Sequence, residues 1–525
     1  MVTLAGFASN RGRNLRNLDD LEPGGATLGV VVSNHADAPI LEAARERGIE
    51  TVAVERGETE SRREHEDRIL AALEGHAFDL VCMDGYMRIL TRALLDRLPP
   101  VLNVHPSLLP AFPGDDAWGD ALEAGVRVSG CTVHVATEEV DAGPIITQEP
   151  IPVRPGDTVE TLKDRILYEG EFKAYPRAVR WFAEGRVEVS EDRRSATVEP
   201  APDDDFPELD LVGGDRVDTL RYGENPHQSA AVYADVTDDA WSIAEARERN
   251  PNAKALSYNN VHDVDAAYRA AIEFDRTACA VIKHANPAGV ATADSAALAY
   301  ERALSTDAMS AFGGIVALNV PCDRETAMAI TDSFKDAVVA PGYTDPALAE
   351  LRTKESLRVL EVPERDRDPS PLLRSVLGGH LVQDRDHLGL AVDDLEVVTE
   401  AEPTAAQART MAFAWGVAKH AASNAIVLAT GTETVGIGQG QVSRVDAVEL
   451  AVRKAREHAE GKGPEGAVLA SDGFFPFPDG IEAAADAGVE AVVQPGGSRN
   501  DDAVIDAADE RGLAMAFTGR RCFRH

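Results

Sequence analysis

Lysine is nearly missing from the first third of the chain: none occurs before Lys163, and acidic residues outnumber basic ones 89 to 52. The net charge of −37 argues against a nucleic-acid or anionic-membrane partner, because phosphates are held by clustered Lys and Arg. An acid-rich, Lys-poor surface suits solvent of very high salt, where self-repulsion is screened. Cysteine is scarce too: Cys82, Cys131, Cys279, Cys322 and Cys522 are scattered, odd in number and without C-x-x-C spacing. A disulfide framework and a structural zinc site are not expected, and the five read as reduced core residues. No apolar run is long enough to span a bilayer and no basic leader opens the sequence, so the expected location is cytoplasmic. What remains is 525 residues of ordinary hydrophobic content (44%), enough for roughly two to four domains.

Over residues 1–189 strand and helix patterns alternate. Strands are expected at 2–6, 28–33, 51–54, 79–83 and 101–104, helices near 39–47, 61–73 and 91–98, which together predict a doubly wound, mostly parallel sheet. Ligands of such sheets bind at the carboxyl ends of the strands. The loop through Gly12, Arg13 and Asn14 lies at one such end, where backbone amides and a helix N-terminus can hold a phosphate. At another, Asn103 and His105 share a face of their strand, able to bond one carbonyl oxygen and shuttle one proton, with Asp141 to orient the imidazole. A buried His satisfied by backbone, with Asp141 as a turn former, fits the same residues.

Residues 190–212, with Pro200, Pro202, Asp203, Asp204, Asp205 and Pro207, read as an acidic, proline-containing linker. In the remainder, 213–525, Lys283-His284 follow a β-branched run and precede an Asn286-Pro287 turn, so a strand delivers an ammonium and an imidazole to the mouth of a sheet, although a surface Lys beside a capping His fits the same residues. Arg221 beside Tyr222 can clamp a phosphate and stack a heterocycle. Lys419-His420, also followed by an Asn and an apolar strand, echoes Lys283-His284 and hints at two similar α/β subdomains. The glycines of 436–441 lack G-x-G-x-x-G spacing and are expected between strands, not opening a helix.

The run Leu102-Asn103-Val104-His105-Pro106-Ser107-Leu108-Leu109-Pro110, with Gly85-Tyr86-Met87-Arg88-Ile89-Leu90 and Asp141, resembles the glycinamide ribonucleotide (GAR) transformylases, folate-dependent formyltransferases of purine synthesis. The resemblance implies a catalytic trio of Asn103, His105 and Asp141, a folate-side segment Met87-Arg88-Ile89-Leu90, and a phosphate loop at Gly12, Arg13 and Asn14. Arg13, Asp84 and the Asp115-Asp116-Ala117-Trp118 stretch depart from that family, and acids near an anionic ribonucleotide would repel it. A formyltetrahydrofolate hydrolase and a non-catalytic folate-binding module are the alternatives for this domain.

The stretches around Arg221-Tyr222, Lys283-His284, Lys419-His420, Ser443-Arg444, Phe474-Phe475-Pro476-Phe477 and the terminal Arg521-Cys522-Phe523-Arg524-His525 resemble aminoimidazole carboxamide ribonucleotide (AICAR) transformylase. That resemblance implies 10-formyltetrahydrofolate as donor, two cytidine-deaminase-like α/β subdomains and, since H-x-E with P-C-x-x-C is missing, no metal. Lys283, His284 and Asn424 would carry the chemistry; Arg221, Tyr222, Asp336, Arg521 and His525 would hold the nucleotide. Phe312, Ser443, Arg444, Phe474 and Phe477 would line the folate side. The family implies a homodimer through this domain. A GAR-type domain stands where a cyclohydrolase usually precedes it, so a separate inosine monophosphate (IMP) cyclohydrolase is expected.

Overall fold

The computed structural model of the protein describes residues 2–201, 206–235, 243, 246–362 and 370–525. The chain divides into two compact units, Met1–Asp210 and Leu211–His525. Among the described residues no helix is long and apolar enough to cross a membrane.

In the first unit, strands β1 (Thr3–Phe7), β2 (Thr27–Ser33), β3 (Glu50–Ala53), β4 (Leu80–Met83), β5 (Val101–His105), β6 (Val128–Val135) and β7 (Ile145–Pro152) form one sheet, in the order β3-β2-β1-β4-β5-β6-β7. The first five are parallel; β6 and β7 run antiparallel. Helices α1 (Arg13–Leu21), α2 (Pro39–Glu46), α3 (Arg62–Leu73), α4 (Arg92–Leu95), α5 (Ala117–Glu123), α6 (Val159–Arg165) and α7 (Phe172–Ala183) complete it. Alternation divides β1 between two cores: Leu4 packs with Leu15 and Tyr175 on one face, Ala5 and Phe7 with Ile69 and Leu73 on the other. Strand order reverses between β1 and β4, which puts the loops after these strands side by side at the switch point.

Part of the segment 190–212 packs on the first unit. Strands β8 (Val187–Val189) and β9 (Ala196–Val198) pair as a hairpin, and between them the buried Arg193 donates to the carbonyls of Leu95, Leu98 and Pro99 at 2.5, 2.8 and 3.0 Å. Glu208 accepts from Trp181, Arg180 and Arg186. Pro202, Asp203, Asp204 and Asp205 lie outside the described residues.

The second unit opens with the hairpin β10 (Gly214–Leu220) and β11 (Ala230–Asp235) and contains a twelve-stranded sheet. After β12 (Arg247–Glu248), one half runs α8 (Tyr258–Ala271), β13 (Ala278–Lys283), β14 (Asn286–Thr292), α9 (Ala296–Leu304), β15 (Ile315–Leu318), α10 (Arg324–Thr331), β16 (Ala337–Ala340), α11 (Asp345–Leu351), β17 (Arg358–Glu361). The hairpin β18 (Leu372–Val376) and β19 (Gly379–Gln383) and a short β20 (Glu396–Val397) follow. The other half repeats the order: α12 (Ala405–Ala418), β21 (Ile426–Thr430), β22 (Glu433–Gly438), α13 (Arg444–Glu457), β23 (Val468–Ser471), α14 (Asp479–Asp486), β24 (Ala491–Gln494), α15 (Asp501–Glu510), β25 (Ala514–Phe517).

Strand order β12-β17-β16-β15-β13-β14-β22-β21-β23-β24-β25-β20 is symmetric about its centre. One core, with Tyr268 of α8 and Trp415 of α12, is common to both halves; each half has its own core on the opposite face.

The duplication has a different register from the Lys-His echo. Lys283-His284 end β13, and the matching turn after β21 is Thr430-Gly431; Lys419-His420 end α12, matching Ile272-Glu273 at the end of α8. The two matching helix ends meet: Lys419 Nζ and His420 Nε2 lie 3.0 and 3.2 Å from the Glu273 carboxylate. The glycine run at 436–441 is also corrected, since it leads from β22 towards α13. A Cβ at Gly438 would fall 1.9 Å from the Ala447 carbonyl oxygen, so glycine there lets the helix lie against the strand.

Candidate functional site

In the first unit β5 carries Asn103 and His105, and its neighbour β6 places His134 directly opposite Asn103. His134 Nε2 lies 3.1 Å from Asn103 Nδ2 and 3.7 Å from Asp141 Oδ1, while His105 Nδ1 lies 3.2 Å from Asp141 Oδ2. The structure therefore brings Asn103, His105 and Asp141 together and adds His134, which the sequence reading passed over. Its signal was its place on the adjacent strand, visible only once the register is known. Burial would raise the Asp141 carboxyl, but His134, the Gly114 N–H and the charge of His105 outweigh it and hold the carboxyl below its ordinary value. His105 Nε2 faces the Phe112 carbonyl at 2.8 Å, so both ring nitrogens face oxygen acceptors.

The two loops at the switch point depart from expectation. Gly12 takes the left-handed conformation (φ 52) ahead of α1, where a Cβ would meet Ile40 at 2.6 Å. The amide of Asn14 is already engaged, donating to Asp84 Oδ2 at 2.8 Å. Asn14 Nδ2 joins Asp84 and Glu171 at 3.1 and 2.7 Å. Asn14 is thus corrected from a free phosphate donor to the bridge between two carboxylates; Arg13 is partly exposed, 3.8 Å from Asp164. Desolvation raises both acids, Glu171 to about 7, against the pull of Asn14. Of the segment expected to face folate, Met87, Arg88 and Ile89 are exposed, whereas Leu90 is buried in the core.

In the second unit a cavity of about 400 Å³ collects Lys283, His284, Arg221, Tyr222 and Asp336, with Asp263 and Phe334 also in its wall. The Arg221 guanidinium lies 4.7 Å from the Tyr222 ring centre and donates to its hydroxyl at 3.0 Å. Lys283 Nζ donates to the Phe312 carbonyl at 2.6 Å, and the Phe312 ring, largely exposed, meets that of Phe334 at 5.4 Å.

Other expected residues do not line this cavity. Both donors of the Asn424 amide go to the Gln441 and Val442 carbonyls at 2.9 and 3.0 Å, and its oxygen accepts from Arg444 at 2.6 Å. Within one chain it has no N–H left for a formyl oxygen. Arg444 is pinned by Asp472 and Ser471, and Ser443 caps α13 without a side-chain bond. Phe474 and Phe477 are exposed, 41% and 59%. Arg521 lies over Phe523, 5.2 Å from its ring centre, and His525 lines a separate cavity of about 440 Å³ with Lys419, His420 and Arg524. All five cysteines are buried and unpaired.

The first unit has a formyl transferase fold: residues 2–179 match the formyl transferase family model. Residues 185–454 match the model described as AICARFT/IMPCHase bienzyme, and the chain belongs to that family. The bifunctional purine biosynthesis protein PurH of Dinoroseobacter shibae is 47% identical over 363 residues, 67% of this chain and 65% of the relative, so this chain spans just under two thirds of that protein. The protein of the same name from Roseobacter denitrificans is 42% identical over 78% of this chain and 76% of its own length. Among solved structures, glycinamide ribonucleotide transformylase 1 from Symbiobacterium toebii is 42% identical with a TM-score of 0.36, covering 38% of this chain and 94% of that one.

Proposed function

We propose that the chain is a two-module, folate-dependent formyltransferase, cytoplasmic, that formylates AICAR in its second unit and GAR in its first. The observation that carries the reading is the cavity in which Lys283 and His284 face the Arg221-Tyr222 pair. The AICAR amine is a weak nucleophile because its lone pair is delocalised, so attack on a formyl carbon needs a base. His284 takes the amine proton, directly or through the carboxamide, Lys283 stabilises charge on the formyl oxygen, and the bond from the formyl carbon to the donor nitrogen breaks as that nitrogen takes up a proton. Arg221 holds the phosphate and Tyr222 lies along the heterocycle. The donor, 10-formyltetrahydrofolate, supplies the formyl group; the exposed Phe312 and Phe334 rings suit its flat heterocycle.

In the first unit Asn103 bonds the formyl oxygen and His105, held by Asp141, gives a proton to the leaving nitrogen. Because Asn424, Ser443, Arg444, Phe474, Phe477, Arg521 and His525 stand outside the Lys283 cavity, we take two chains to complete one another's sites as a homodimer. The duplicated halves of the second unit are read as cytidine-deaminase-like subdomains, and ring closure to IMP as the work of a separate cyclohydrolase.

The test supplies 10-formyltetrahydrofolate with GAR, with AICAR or with neither, to wild type, His105→Ala and His284→Ala. His284→Ala should lower AICAR formylation by about a hundred- to ten-thousandfold and spare GAR; His105→Ala should do the reverse. Intact AICAR formylation in His284→Ala would overturn the reading. Formate released without acceptor would make the first unit a hydrolase, and appearance of IMP would show that ring closure also resides here.

A further inference from the structure

The turn bearing Lys283 and His284 passes through two consecutive left-handed residues, His284 (φ 51) and Ala285 (φ 56). Neither is glycine, and such a pair persists only where its surroundings hold it. Three side chains do so. Asp263 Oδ1 accepts the Ala285 N–H at 2.7 Å, and Asn286 Nδ2 donates to the His284 carbonyl at 3.0 Å. The third is Arg524, next to last in the sequence: its Nη1 donates to the Ala285 carbonyl at 2.7 Å and to the His420 carbonyl at 2.9 Å.

Arg524 also accepts through its backbone, from the Ser423 N–H at 2.9 Å. A single residue thus grips the turn after β13 in one half and residues 420–423 in the other. Asn286 makes a parallel link, its Oδ1 accepting the Ala422 N–H at 2.9 Å. Arg524 itself is absent from the cavity wall that contains Lys283 and His284.

We propose that Arg524 is a positioning residue for formyl transfer: by bonding the Ala285 and His420 carbonyls it fixes the left-handed turn that aims His284 and Lys283 into their cavity. Both hydrogens of Nη1 are spent on these carbonyls, and partial burial lowers the guanidinium's pKa. The proposal rests on the reading of His284 as the proton acceptor in AICAR formylation.

The experiment compares the wild-type chain with Arg524→Gln and Arg524→Lys. Misplacing a catalytic group by about 1 Å costs on the order of a hundredfold, so Arg524→Gln should lower kcat for AICAR by about 10- to 100-fold. KM for AICAR should stay within about twofold, because Arg524 does not touch the cavity. Arg524→Lys, which keeps a charged donor, should recover most of kcat. Hydrogen exchange in a peptide containing Ala285, measured on ligand-free protein, should speed up in Arg524→Gln and return towards wild type in Arg524→Lys. A wild-type kcat in Arg524→Gln, a rise in KM with kcat intact, or unchanged exchange would each overturn the proposal. Absence of AICAR formylation in wild type would instead sink the functional reading, while exchange still tests Arg524.

Discussion

Asp84 places its carboxylate 2.8 Å from the amide of Asn14, at the start of α1. An anion at a helix N-terminus is worth about 0.3 to 2 kcal/mol, and here the chain supplies its own. A phosphorylated acceptor approaching Gly12 and Arg13 meets a negative charge where the first helical turn would otherwise attract it. Asp84→Ala should therefore lower KM for GAR by roughly 2- to 30-fold and tighten inhibition by inorganic phosphate by a similar factor. Initial-rate kinetics with added phosphate check this; unchanged KM and inhibition would show that the phosphate lies elsewhere.

His134 holds Asn103 on one side and Asp141 on the other, without a place in the expected trio. Its loss leaves Asp141 to orient His105 alone and lets the Asn103 amide rotate. His134→Ala should reduce kcat of the first unit on GAR by about 10- to 100-fold, less than the loss from removing His105 itself. Activity of the second unit on AICAR, measured on the same preparation, should not change. A GAR kcat equal to wild type would reduce His134 to a packing residue.

The strands of the first unit were legible because apolar runs between turn residues set their positions; β2 and β5, for example, begin or end one residue from where the sequence places them. Asn103 and His105 were legible through period-two geometry. His134 was not, since its role comes from cross-strand register, which no local pattern encodes. Asp84 was visible as an unusual acid, but its partner Asn14 lies 70 residues away. The duplication was sensed through two Lys-His pairs, yet those pairs are not equivalent: the two halves share element order and strand order and carry different side chains at matching turns. Arg524 and Ala285, 239 residues apart, could be joined only by the fold.

The excess of acids bears on stability as well as on partners. With a net charge of −37, self-repulsion opposes the compact state and weakens as salt shortens the screening length, from about 10 Å at 0.1 M to about 3 Å at 1 M. The midpoint of thermal unfolding should rise as potassium chloride is raised from about 0.1 to 1 M. Scanning calorimetry across that range checks it, and a midpoint that stays level or falls would remove the argument for a high-salt solvent.

Glu171, at the end of a π-helical turn (Ile166–Glu171), contributes a pH dependence of opposite sign to that of a paired carboxylate. Desolvation lifts its pKa to about 7 from an ordinary 4.5, so the folded state binds a proton that the unfolded chain has released. Stability of the first unit should be fullest below about pH 4.5 for this group, fall as pH rises towards 7, and level off above it. The loss amounts to about 3 kcal/mol at one pH unit per 1.36 kcal/mol, with neighbouring Asp84 adding to it because burial raises that acid too. Acids held below their ordinary values, such as Asp141, act at lower pH, where their stabilisation fades as pH drops through the folded pKa. The two effects therefore occupy separate windows. Glu171→Gln keeps an oxygen for Asn14 Nδ2 and carries no charge, so it should flatten the slope between about pH 4.5 and 7 and leave the first unit more stable than wild type at pH 8. Chemical unfolding followed separately for each unit reads this directly, and a slope unchanged in Glu171→Gln would assign the pH dependence to another group.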